Sequence, residues 1–347
     1  MLLKSAVIAC LILLLPVAHP ARAGAVVMET IPYGGWPRCI RLSNPDVELV
    51  VTTDVGPRIM RYGFKGGQNL FKEFRDQTGK TGGKEWRIYG GHRMWHAPEA
   101  QPRSYAPDND PVQYHWNGVS LCMFQNTEPS TGIAKEMVIT LAPTGTHVTV
   151  LHTLVNNNLW TIRTAAWAMT TMAQNGRAIF PQEPEKPYPA YLPPARPMTL
   201  WHYTDMSDAR WTWGRRFIQL QQDPRAKDPE KIALRNSLGW SAYALNGQVF
   251  LKRFGYDACA DYPDFGCNNA TFTNADMIEI ESLGPLTDLA PGGKAECTEH
   301  WFLFQKEVGK DDEAIERDLL PLVGQTEEGS RPLNPNRAEV MGKETGS

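Results

Sequence analysis

Apolar and polar residues alternate with a period of two along most of the chain. VELVVTTD (47–54), PRIMRYGF (57–64), HVTVLHTLV (147–155), RRFIQLQ (215–221), ADMIEIESL (275–283) and CTEHWFLF (297–304) all read as β-strands with one buried face. SAYALNGQVFLKRF (241–254) reads as two strands joined at Asn246-Gly247, a dipeptide suited to a two-residue hairpin turn because both positions tolerate positive φ. Only KDDEAIERDLL (310–320) has helical spacing, with an acidic first turn that suits the positive end of a helix dipole. So many strands with so little helix predict an all-β fold, a large antiparallel β-sandwich with one short C-terminal helix, and argue against an α/β nucleotide-binding fold.

The remaining segments set the limits of that domain. Residues 1–23 combine one lysine, an apolar run from Ala6 to Leu15 and the small-x-small signal Ala21-Arg22-Ala23, the pattern of a secretory signal peptide. A periplasmic or secreted protein is expected, with no membrane span once the leader is removed, because no later run approaches the ~18 apolar residues a membrane helix needs. Residues 24–324 show no composition shift and are expected to form a single domain, followed by a flexible tail, 325–347, with few apolar residues. Proline-rich PQEPEKPYPAYLPPARP (181–197) cannot be a central strand and is expected to run over the sandwich, with Tyr188 and Tyr191 at a cleft edge.

Composition narrows the partners. A formal charge of −3 makes the chain mildly acidic, and no nucleic-acid partner is expected. Five cysteines follow the leader, and Cys259 and Cys267 are the expected disulfide, since CADYPDFGC is a short loop whose closure costs little entropy. None has the CxxC spacing of a metal site.

YGGHRMWHAPE (89–99) is the densest chemical segment. His92 and His96 have the i, i+4 spacing that places two zinc ligands on one helix face. HExxH, however, requires glutamate where Arg93 stands, and Gly90, Gly91 and Pro98 oppose a helix. The segment reads as a loop, and no metal or other cofactor is expected. A Walker loop and a GxSxG nucleophile elbow are both missing. In MIEIES (277–282) alternation sends Glu279 and Glu281 to one face and the isoleucines to the other. On a cleft wall, two such carboxylates repel when ionised, and one pKa rises toward the range of a general base. His152 and His300 alternate with apolar residues and read as core histidines. Eleven tryptophans supply flat faces for stacking on sugar C–H surfaces or for filling a core, and Trp95 is the one best placed for a site.

VELVVTTDVGPRIMRYGFKGGQNLF and IEIESLGPLTDLAPGGKAECTEHWFLF resemble the first strands and the C-terminal block of the galactose mutarotase-like (aldose 1-epimerase) superfamily, and residues 30–305 fit its arrangement. YGGHRMWHAPE with YAPDNDPV resembles a mostly uncharacterised branch of it. The resemblance implies Glu281 as the base that takes the anomeric proton and His92 or His96 as the acid at the ring oxygen. It leaves Arg93, Trp95, Asp108, Glu279 and Trp167 to bind a sugar or oligosaccharide. One departure stands out: the second epimerase histidine is replaced by the stretch Trp167-Ala168-Met169. Three functions therefore stay open: an epimerase, a carbohydrate-binding protein on the same fold, and a glycan-cleaving enzyme in which Glu99 or Asp108 would partner a strand glutamate.

Overall fold

The computed structural model describes residues 25–327, so the predicted leader and most of the predicted tail lie outside the described residues. Two antiparallel sheets, of eleven and ten strands, face each other. The centre of the first sheet runs from Arg58–Phe64 through His92–Ala97, Ile162–Met172, Ile278–Leu283 and Asn269–Thr273 to Glu230–Leu234. The second is centred on Trp240–Leu245, Gln248–Phe254, Lys294–Gln305, Val148–Asn156 and Ile133–Leu141. This is the expected β-sandwich.

Between the layers lies one apolar core in which Tyr62, Phe71, Phe250 and Trp301 meet edge to face or tilted, with centroids 5.6–6.2 Å apart. Burying each such side chain contributes roughly 1.5–3 kcal/mol. The hairpin turn forms as the dipeptide predicts, with Asn246 at φ 49° and Gly247 at φ 71°. The helix spans Asp312–Gln325, five residues beyond the predicted end. Asp311 Oδ1 caps it by accepting from the Ala314 N–H at 2.7 Å, and Ile315, Leu319 and Val323 pack on the outer face of the second sheet. The predicted tail boundary at 325 therefore falls inside the last turn.

Several central strands escape the period-two pattern, His92–Ala97, Ile162–Met172 and Glu230–Leu234 among them. His92–Ala97 is a strand rather than a loop, and all six residues are buried. Its glycines do not break it; they let it begin. Gly90 and Gly91 sit at φ 97° and 70°, and a Cβ on them would lie 2.0 Å from the Lys72 carbonyl oxygen and 2.3 Å from that of Ile59. Ile162–Met172 is buried continuously from Thr164 onward because one face meets the second sheet and the other an aromatic layer, which erases alternation. The expected Cys259–Cys267 bridge is not formed. Both thiols are free: Cys259 lies in an exposed turn, while the Cys267 sulfur is buried against Thr199 Oγ1 at 3.5 Å.

Candidate functional site

Strand register decides which candidates meet. Met169 pairs with Arg93 on one side and Glu281 on the other, Trp167 pairs with Trp95, and Thr171 pairs with Glu279. Since alternate residues share a face, Arg93, Trp95, Trp167, Met169, Glu279 and Glu281 all project from the side of the first sheet turned away from the second. Most of them line a cavity of about 520 Å³, joined by Trp86, Glu99, Tyr105, Tyr203 and Lys231. Trp95 is its hub, 5.3 Å from Trp167, 5.8 Å from Trp86 and 4.8 Å from Tyr105 between ring centroids, each contact edge to face. A larger depression of about 700 Å³ follows the proline-rich segment and carries Tyr188 and Tyr191, but every residue lining it is partly or fully exposed and it contains no buried ionisable group. The two tyrosines thus edge a different hollow from the one expected.

The carboxylates occupy two depths. Glu279 reaches the cavity wall and accepts from Thr171 Oγ1 at 3.2 Å. Glu281 is fully buried beneath the wall; its Oε2 accepts from Trp167 Nε1 at 2.9 Å and its Oε1 has no partner. Burial, aided by repulsion from Glu279, pushes the Glu281 carboxyl up to about 7 against the pull of Lys231, and burial raises Glu279 as well. Lys231 lies 3.3 Å from Glu99 and 4.0 Å from Glu281, with its ammonium 4.9 and 4.6 Å from the Trp167 and Trp201 ring centroids. Burial would lower its pKa, but Glu281 and Glu99 outweigh this and keep it charged.

The histidines are elsewhere. His92 and His96 occupy the opposite parity of the strand and project between the sheets, so neither faces Glu281; the cross-cleft pairing read from the sequence is corrected by side-chain alternation. His92 Nδ1 meets Thr170 Oγ1 at 2.8 Å and its Nε2 meets His152 Nε2 at 3.0 Å. His96 Nδ1 takes a hydrogen bond from Arg103 at 2.8 Å, and its Nε2 lies 3.4 Å from Glu128. Burial holds both imidazoles below their ordinary pKa. Asp108 is also off the cavity, paired with Arg58 at 2.6 Å.

Sequence reasoning missed Lys231, Lys252 and Glu299. Glu299 alternates with Cys297, Trp301 and Leu303, and Lys252 with Phe250 and Phe254, so a charge on an apolar strand face was the available signal. Around Glu299 the ligand-type atoms of His92, His152 and Glu299 lie within 4.8 Å of one another, a grouping that a metal could use. Lys252 stands 2.8 Å from Glu299 Oε1, Ser282 donates to the same oxygen, and Trp301 Nε1 donates to Oε2 at 2.8 Å. With the carboxylate charge already balanced, a divalent ion there would be left unneutralised. Melting temperature is therefore expected to stay unchanged on adding zinc or a chelator; a rise with zinc would instead assign the trio as a metal centre.

The arrangement sits on a known fold. No protein-family model matches the sequence, and a search of curated proteins finds no match. Among solved structures, a galactose mutarotase-like protein from Lactobacillus casei aligns with TM-score 0.50 at 11% identity, over 77% of this chain and all of that one. A galactose mutarotase-like protein from Clostridium acetobutylicum aligns with TM-score 0.50 at 9% identity, over 81% and 99%. A TPR-domain containing protein from Parabacteroides distasonis aligns with TM-score 0.52 at 12% identity over 86% of this chain, which spans only 56% of that longer protein. The chain has the galactose mutarotase-like sandwich fold.

Proposed function

We propose that this is an exported carbohydrate-active protein of aldose 1-epimerase type, with acid/base chemistry carried by the Glu279–Glu281 pair and Lys231 rather than by histidine. The observation that carries the reading is two buried carboxyls of raised pKa beside a charged lysine, set in the wall and floor of an aromatic cavity. Trp95, Trp167 and Trp86 offer apolar surface to sugar C–H groups. Glu279, the member in contact with the cavity, takes the anomeric hydroxyl proton. Lys231 donates to the ring oxygen as the C1–O bond opens, and reclosure after rotation about C1–C2 gives the other anomer. Arg93 lines the same cavity. His92, His96 and Asp108 take no part in the reaction.

The test is anomer exchange, followed by NMR, on a panel of mono- and oligosaccharides. Exchange above the spontaneous rate on at least one sugar is expected. Saturable binding with no added exchange would favour the second reading, a carbohydrate-binding protein, to which the missing imidazole in the cavity already points. New reducing ends would favour glycan cleavage.

A further inference from the structure

Two arginines flank this end of the sheet, and they are treated differently. Arg58 is held by the protein through both terminal nitrogens: its Nη1 donates to the carbonyls of Ile88 and Gly90 at 2.8 and 3.1 Å, and its Nη2 pairs with Asp108, leaving only its Nε without a partner. Arg93 is only 2% exposed, yet its Nε and Nη1 are buried with no hydrogen-bond partner, and among the described residues no carboxylate lies within ion-pair distance. Its guanidinium carbon lies 4.9 Å from the Trp86 ring centroid and 4.4 Å from that of Trp95. Stacking of this kind occupies the faces of the guanidinium and leaves the N–H groups in its plane to seek acceptors. Arg93 lines the cavity.

The cavity wall also carries Glu99, Asp276 and Glu279, so it is the unpaired geometry of Arg93 that decides where an anion can sit. Arg58 adds positive potential at Arg93, and Glu279 and Asp108 act against it, but Asp108 is taken up by Arg58 at 2.6 Å, Glu279 accepts from Thr171, and neither forms an ion pair with the Arg93 guanidinium. On the far wall Lys231 is committed to Glu99 and Glu281, so the unanswered positive charge is at Arg93.

We infer that the cavity takes an anionic sugar, one whose carboxylate or phosphate group accepts from the free N–H donors of Arg93 between Trp86 and Trp95 while the ring lies toward Trp167 and Glu279. This rests on the carbohydrate reading above. A neutral hexose would leave the guanidinium as it stands, buried and unpaired, whereas an oxyanion gives it a charge-assisted partner in a site with little water. Selectivity then comes from Arg93 alone, and the chemistry at the carboxylate pair is separate from it.

The experiment is calorimetric or NMR titration of the full chain with methyl glucuronide and methyl galacturonide, the matched neutral methyl glycosides, and glucose 6-phosphate, at low and high salt. At least one anionic sugar is expected to bind about tenfold or more tighter than its neutral match, with the gap narrowing as salt rises. Tight uronide binding assigns a carboxylate, and tight phosphate binding alone assigns a phosphate. Arg93→Met, which keeps an unbranched side chain between the indoles, is expected to abolish the gap while neutral binding persists. Equal binding of acidic and neutral sugars, or a gap that survives in Arg93→Met, overturns the inference and leaves the carbohydrate reading intact. Binding of no sugar at all overturns both. Should Arg93→Met fail to fold, Arg93→Lys decides: a smaller gap supports the assignment and an unchanged one rejects it.

Discussion

Glu279→Gln is expected to slow sugar anomer exchange by roughly 10²–10⁴-fold, the usual contribution of a positioned general base. Glutamine keeps the size and can still accept from Thr171, so the loss reads proton abstraction rather than packing. Glu279 must be ionised to act, and burial raises its pKa. The wild-type rate should therefore climb with pH through a point above the ordinary carboxylate range and then level off. Glu281→Gln is expected to act differently. Without the second carboxylate the repulsion between the pair disappears and Lys231 is freed toward Glu279, so the rising limb should move to lower pH with a modest loss at the plateau. If Glu281→Gln proves the more damaging change and Glu279→Gln only shifts the limb, the base is Glu281, as the sequence resemblance implies.

Lys252→Met should cost roughly 3–5 kcal/mol of stability, because it strands the Glu299 carboxylate in the core with no countercharge. Denaturant melts check the size, and the double variant Lys252→Met with Glu299→Gln is expected to recover a large part of it. A double variant as unstable as the single one would show that packing, not charge, is what Lys252 supplies. The same seam makes the wild type acid-sensitive. Burial depresses His92 and His96 in the seam and, on the outer face of the second sheet, His147 to about 4. Each stays neutral when folded while its unfolded counterpart takes a proton below about 6.5, so stability is full above that pH and falls as pH drops toward the folded values. A buried histidine contributes a slope of up to about 1.4 kcal/mol per pH unit in that window. Glu299 adds to the loss at lower pH, since the Lys252 ammonium overcomes burial and holds it well below the usual carboxylate range.

The sandwich was legible because most strands have one apolar face, and a two-residue period survives in the sequence wherever that holds. It failed for His92–Ala97, Ile162–Met172 and Glu230–Leu234, which are covered on both sides and do not alternate in residue type, whereas Ile278–Leu283, equally buried, keeps its isoleucine–glutamate alternation. The strand parity of Glu279 and Glu281 was correct for the same reason it was readable: isoleucines mark the core face. The histidines misled because a loop has no parity. Once GGHRMWHAP is a strand, Arg93 and Trp95 must share a side and His92 and His96 must take the other. Lys231 belongs to a short strand, EKIAL, whose five residues are all buried, so nothing in the local pattern marked its lysine for the cavity.

The His92–Ala97 strand addresses two compartments at once. Its odd positions furnish a cavity that a ligand can enter, and its even positions furnish a dry polar seam that holds the layers together. Sliding it by a single residue would exchange the two sets, driving Arg93 and Trp95 into the core and the imidazoles into the cavity. The glycines before it, fitted against the Lys72 and Ile59 carbonyls, block such a slide. Specificity for ligand and cohesion between the sheets are therefore locked by one register, and neither can be altered by insertion here without losing the other.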